Sequence, residues 1–213
     1  MRRPANMKLL LWAIGGFFWI NIGGSMLHFA FELSEYYRPL AMIAAVNESV
    51  WEHLKMYFWA GLLLALVEYT YVRDVANNYW FGQAIGLLVT PFVIILSFYF
   101  YLGIAFPMYG RGWLAADIGT GALGVIAGQY ASYRMLTREP LSLKVRRYGA
   151  ATLYSILVVA FLSFTYYPPR MFLFENFFGY TYRGDYGILK DYEPYRIFRP
   201  ADYTAREPES AEP

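Results

Sequence analysis

LLLWAIGGFFWINIGGSMLHFAF, residues 9–31, carries no formal charge when His28 is counted as neutral. A helix needs about 20 residues to cross the hydrocarbon core of a bilayer, so this run is long enough to span one. Residues 79–106 and 148–167 are also free of formal charge, and residues 50–72 and 113–133 are apolar apart from a few ionisable side chains. The expected fold is therefore all-α: a polytopic transmembrane helix bundle with about five membrane-spanning helices. Composition points the same way. Of 213 residues 58% are hydrophobic, 21% aromatic and only 16% charged, against roughly 25% charged in an ordinary soluble domain.

Because the first run follows Arg2, Arg3 and Lys8, it has the outline of a signal peptide. It is longer than the core of about 7–15 residues that such peptides carry, and no A-x-A-like site precedes the acidic stretch, so it reads as a retained helix. The absence of cysteine excludes disulfides, thiolate metal ligands and cysteine nucleophiles. A net charge of +2 gives no reason to expect nucleic acid, and the partner implied by the composition is the lipid bilayer.

Lys and Arg collect on the cytoplasmic side of short loops. With the N-terminus inside, the inner segments hold Arg2, Arg3, Lys8, Arg73, Arg134, Arg138, Lys144, Arg146 and Arg147, whereas the outer loops hold Arg38, Lys55 and Arg111. The expected location is the cell membrane, with the N-terminus cytoplasmic and the C-terminal tail extracytoplasmic. Residues 1–167 form the transmembrane domain on this reading, 168–198 an aromatic-rich outer segment packed on the bundle, and 199–213 a polar, disordered tail. Pro91 is expected to kink the third span, and Pro107 to Gly112 to form a turn.

The charges that remain near lipid ask for a reason, since an ionisable group at a helix centre costs about 2.5–3.5 kcal/mol on insertion scales. VNESVWEHLK, residues 46–55, holds two glutamates, a histidine and a lysine. Ser49 and Glu52 fit a capping box, and Glu52 with Lys55 can pair at i, i+3. Capping does not involve His53, which points roughly 100° away from Glu52 on a helix. On the first helix Asn21, Gly24, Ser25, His28 and Glu32 share one face, and on the fourth Asp117 lies in line with Gly121, Gly124 and Gly128. Small and polar faces of membrane helices look into the bundle.

His28, His53, Glu32, Glu48, Glu52 and Asp117 thus converge on one outer layer. Histidine and carboxylate ligands suit a divalent metal such as zinc. A histidine–carboxylate pair could instead serve as acid and base, or two histidines could ligate a haem, although no attachment motif is present. The chain has no H-E-x-x-H, no G-x-S-x-G and no phosphate-binding glycine loop. A second layer, Glu68, Gln83 and Gln129, falls nearer the cytoplasm and could line a path.

HFAFE (28–32), VNESVWEHLKMYF (46–58), FTYYPPRMFLFE (164–175) and DYGI (185–188) resemble a family of small prokaryotic multi-pass membrane proteins of unknown function. The resemblance implies an architecture and no activity. Its members tend to carry an acidic loop residue where this chain reads FENFF, and the extension after Ile188 looks particular to this chain.

The leading expectation is an outward-facing pocket that binds a divalent metal or a polar lipid headgroup, with hydrolysis of a membrane substrate as an extension. Metal-ligand candidates are His28, Glu32, His53 and Asp117. Catalytic candidates are Glu48, Glu52 and Asp117, and Asn47, Ser49 and Lys55 orient or cap. The alternative is a non-catalytic membrane subunit whose polar residues latch helices together and whose tail docks on a partner membrane protein. A small-solute or ion transporter is third.

Overall fold

Where backbone polar groups cannot turn to water, a chain satisfies them within itself, and long apolar runs do so as helices. The computed structural model describes residues 2–198. Among them five α-helices form: α1 (Arg2–Leu33), α2 (Val50–Val72), α3 (Tyr79–Tyr109), α4 (Leu114–Thr137) and α5 (Ala150–Tyr166). A π-helical turn at Val145–Gly149 leads into α5, and 3₁₀ turns lie at Arg38–Met42, Phe178–Tyr180 and Glu193–Tyr195. No strand forms among the described residues; a lone antiparallel bridge joins Glu175 to Tyr186. The tail expected at 199–213 lies outside the described residues.

The all-helical expectation holds. Four helices are long and apolar enough to cross a membrane: Asn6–Leu33, Val50–Val72, Tyr79–Tyr109 and Val145–Tyr166. The segment expected as a fourth span, now α4, falls short of that measure because glycines, Asp117, Gln129, Ser132 and Arg134 dilute its apolar content. The turn between α3 and α4 is also shorter than Pro107 implied. Both Pro91 and Pro107 lie inside α3, which ends at Gly110 with φ +68°, the left-handed conformation that closes many helices.

α2 packs between α1 and α3, α1 also meets α4, and α3 also meets α5. α3 and α4 form the most extensive pair. They approach backbone to backbone at Gly86 and Gly128: a Cβ on Gly128 would meet the Gly86 carbonyl at 2.7 Å, and one on Gly86 the Gly128 carbonyl at 2.8 Å. α5 is held by rings, with Phe161 stacked on Trp51 at 4.6 Å and on Phe58 at 4.8 Å between centroids. The outward faces are apolar: Phe18, Ile22 and Met26 on α1, and Phe92, Leu96 and Phe100 on α3, are all exposed. Surfaces of that kind mark contact with lipid or protein.

Candidate functional site

The site is built around the start of α2. Ser49 has extended backbone and its Oγ accepts from the Glu52 N–H at 3.3 Å, half of a capping box. The other half does not form. The Ser49 N–H donates instead to Asn47 Oδ1 at 2.8 Å, which frees the Glu52 carboxylate to turn inward. There Oε2 pairs with Lys55 Nζ at 2.5 Å and accepts from the Val46 N–H at 3.1 Å, while Oε1 accepts from Thr165 Oγ1 at 2.9 Å. Lys55 also donates to the Ala41 carbonyl at 2.7 Å and to Thr165 Oγ1 at 2.8 Å, so all three ammonium protons are used. A charge pair this deeply buried, 1% and 0% exposed, is tolerated only when its remaining hydrogen bonds are made. Glu52 and Lys55 therefore join α2 to α5 and to the 38–42 turn, with both side chains buried.

The segment after α5 folds back over the same end. Asn47 Nδ2 donates to the Gly187 carbonyl at 2.8 Å, the Glu48 N–H to Asn176 Oδ1 at 3.1 Å, and the Trp51 N–H to the Leu173 carbonyl at 3.0 Å. Free N–H groups at the start of a helix need such partners. Gly187 has φ +61°, and a Cβ there would meet the Thr165 carbonyl at 2.6 Å. The acids expected in the pocket take part in this docking. Asp117 Oδ2 accepts from Tyr180 Oη at 2.5 Å, and Glu32 accepts from the N–H groups of Ile197 and Phe198 at 2.9–3.0 Å. Burial pushes the phenols of Tyr180, Tyr192 and Tyr195 above their ordinary range.

Three side chains converge at the rim. Glu48 Oε1 lies 3.8 Å from His28 Nε2, and Glu48 Oε2 lies 3.5 Å from His53 Nε2. One ligand atom from each residue falls within 4.8 Å of the others. Both separations exceed the usual 2.7–3.2 Å of an N–H···O bond, so the groups face one another without bonding. His53 Nδ1 sits 2.8 Å from the Ser49 carbonyl, which can only accept, so the ring proton is on Nδ1 and a neutral His53 presents its Nε2 lone pair toward Glu48. His28 Nδ1 is buried without a hydrogen-bond partner among the described residues. Beside the cluster, a cavity of about 40 Å³ is lined by His28, Glu32, Asn47, Glu48, Asn176 and Tyr192 among others. It has room for a water or an ion, but not for a small-molecule ligand, whose pockets run to about 300–1,000 Å³.

The profile of a family described as "Family of unknown function (DUF6512)" matches residues 1–188. The chain belongs to this family. The match takes in α1 to α5 and the returning segment as far as Ile188. No curated protein and no solved structure matches the chain.

In this DUF6512 chain, His28, Glu48 and His53 come together out of the wider set that the sequence suggests. Glu32 stays close to His28 but is engaged by the tail, Asp117 is near enough to His53 to interact electrostatically while bound to Tyr180, and Glu52 is buried with Lys55. Asn176, Thr165, Tyr180 and Gly187 escape a reading of the sequence. The visible signals were an asparagine inside the aromatic run FENFF, which proves 1% exposed, and the glycine of DYGI. In the second layer Gln83 Nε2 donates to Glu68 Oε2 at 2.8 Å. Between that layer and the cluster, Ala60 and Leu64 of α2 are buried with Ile20 and Val125.

Proposed function

We propose that this family member is an integral, multi-pass membrane protein in which His28, Glu48 and His53 hold a divalent metal ion, zinc fitting best. The observation that carries the reading is the convergence of their three ligand atoms within 4.8 Å. Around zinc, with bonds of about 2.0–2.2 Å, tetrahedral ligand atoms stand roughly 3.3 Å apart. The 3.5 and 3.8 Å contacts run to different Glu48 oxygens, and the three ligand atoms, within 4.8 Å of one another, would draw together by up to about 1.5 Å around a shared ion. Two histidines and one carboxylate are a ligand set of catalytic zinc sites, which leave a fourth position for water. Outer partners support the first ring of ligands: the Ser49 carbonyl orients His53, and Asn176 fixes the backbone of Glu48. The cavity of about 40 Å³ beside His28 and Glu48 has room for a water or an ion, which favours ion binding over hydrolysis of a membrane substrate.

On this reading α4 is a fifth span. Its 24 residues reach about 36 Å at 1.5 Å each, enough for a core of about 30 Å, and its glycine face lies against α3. Five spans with a cytoplasmic N-terminus put residues 168–198 and the metal site on the outer side of the cell membrane.

Metal analysis of the protein purified in a neutral detergent tests the reading. About one zinc per chain is expected in the wild type and none in His53→Ala or Glu48→Gln. A wild type that binds no metal, and whose melting temperature is unmoved by added zinc, removes it.

A second reading has its own observation. The fully bonded Glu52–Lys55–Thr165 network is a latch between α2 and α5, so Glu52, Lys55, Asn47 and Ser49 serve architecture whether or not a metal binds. Transport is less well supported, because the buried Ile20, Ala60, Leu64 and Val125 interrupt any polar path to Glu68.

A further inference from the structure

A separate opening lies at the far end of the bundle, where α5 begins. A groove of about 450 Å³ is walled by Trp80, Ala151 and Val158 and topped by Arg146 and Arg147, with Tyr154 part-way along. We infer that this groove binds an anionic phospholipid, its phosphate held by Arg146 and Arg147 and one acyl chain lying along α5. The inference rests on the chain being a membrane protein and is independent of the metal site.

Three features support it. Arg146 Nε and Tyr154 Oη are both buried and make no hydrogen bond among the described residues. Buried donors of this kind are uncommon and ask for a partner. Tyr154 lines the groove beside Trp80, ring centroids 6.3 Å apart, with its hydroxyl near enough to Tyr79 to interact electrostatically, so it offers a donor on the groove wall below the arginines. Guanidinium groups grip phosphate through paired N–H donors.

The dimensions also match. Arg146 and Val158 are twelve positions apart, roughly 18 Å along a helix, and half of a hydrocarbon core of about 30 Å is one leaflet. A free phosphate would use the arginines and leave the apolar wall bare. A lipid uses both.

The local backbone is unusual in the same place. Both arginines ride on the π-helical turn Val145–Gly149, a rare conformation that occurs mostly as single turns and frequently at functional sites. The turn is seated closely on α3, since a Cβ on Gly149 would meet Phe81 Cε2 at 2.9 Å. Arg134, Arg138 and Lys144 lie close by in sequence. Basic pockets between membrane helices suit anionic headgroups.

The test begins with fractionation of cells expressing the full chain, then native mass spectrometry of detergent-purified protein titrated with phosphatidylglycerol, phosphatidylcholine or inorganic phosphate. One phosphatidylglycerol per chain is expected to bind roughly tenfold more tightly than phosphatidylcholine, without displacement by inorganic phosphate. The double variant R146Q/R147Q should lose the preference. A151W, which fills the groove and keeps both arginines, should lose the lipid while folding normally. Equal binding of the two lipids, an unchanged preference in R146Q/R147Q, or displacement by inorganic phosphate would overturn the inference and leave the membrane reading intact. Recovery of the chain in the soluble fraction without detergent would overturn both.

Discussion

Asn47 and Gly187, 140 positions apart, are joined by a 2.8 Å hydrogen bond from the asparagine Nδ2 to the glycine carbonyl. The start of α2 and the returning segment are therefore one structural unit, and the rim of the His28–Glu48–His53 cluster depends on both.

Gly187 should be the most sensitive glycine of that unit. Gly187→Ala meets both a positive φ and a Cβ contact of 2.6 Å with the Thr165 carbonyl, whereas Gly184, at φ +76°, has nothing within 4 Å of a Cβ. Gly184→Ala is expected to cost about 1 kcal/mol from the backbone alone, and Gly187→Ala more than about 2 kcal/mol. Limited proteolysis of residues 168–198 measures the difference as faster cleavage in the Gly187 variant.

Breaking the buried pair on one side should be worse than replacing it on both. Lys55→Met leaves the Glu52 carboxylate short of its counter-charge at 1% exposure, a change that typically costs about 3–5 kcal/mol. The double variant E52Q/K55M is expected to recover more than half of that loss, as read from denaturant unfolding in detergent.

Glu48 and Glu52, four residues apart, should behave oppositely. Glu48→Gln removes the carboxylate that faces both histidines at 3.5 and 3.8 Å; it should abolish zinc binding and change the metal-free melting temperature little. Glu52→Gln should lower the metal-free melting temperature strongly. A reversal of these two effects would transfer the ligand role to Glu52.

Docking of the returning segment should weaken in alkali. Burial raises the phenols of Tyr180, Tyr192 and Tyr195 above the ordinary value of 10.0. The docked state then holds more protons than the undocked one above that pH. Its stability is full below about pH 10 and falls as pH rises further. Proteolytic release of the segment between pH 9 and 11 should follow this curve, and Tyr195→Phe should flatten it. The variant gives up one bond, from Tyr195 Oη to Asp185 Oδ2 at 2.8 Å.

Much of this was legible in residue pattern. Uncharged runs identify helices, and i, i+4 spacing puts His28 and Glu32 on one face. The capping signal at Ser49 locates the start of α2. What spacing cannot show is competition for the same side chain. Glu32 and Asp117 have the chemistry of ligands, but backbone N–H groups at 197–198 and the Tyr180 hydroxyl reach them first. Glu52 looks equally available until Thr165, 113 positions away, completes its shell. Long-range partners of this kind leave no periodic trace, because a single threonine or asparagine in an apolar run looks the same whether it is bonded or idle.

The link between the Glu48 N–H and Asn176 also bears on how the chain is made. The two residues are 128 positions apart, and synthesis proceeds at about 5–20 residues per second. For roughly 6–26 s after Glu48 is added to the growing chain, its eventual partner does not yet exist. The Glu48 amide cannot make this bond during that interval, so closing the rim of the cluster comes late in the maturation of the protein.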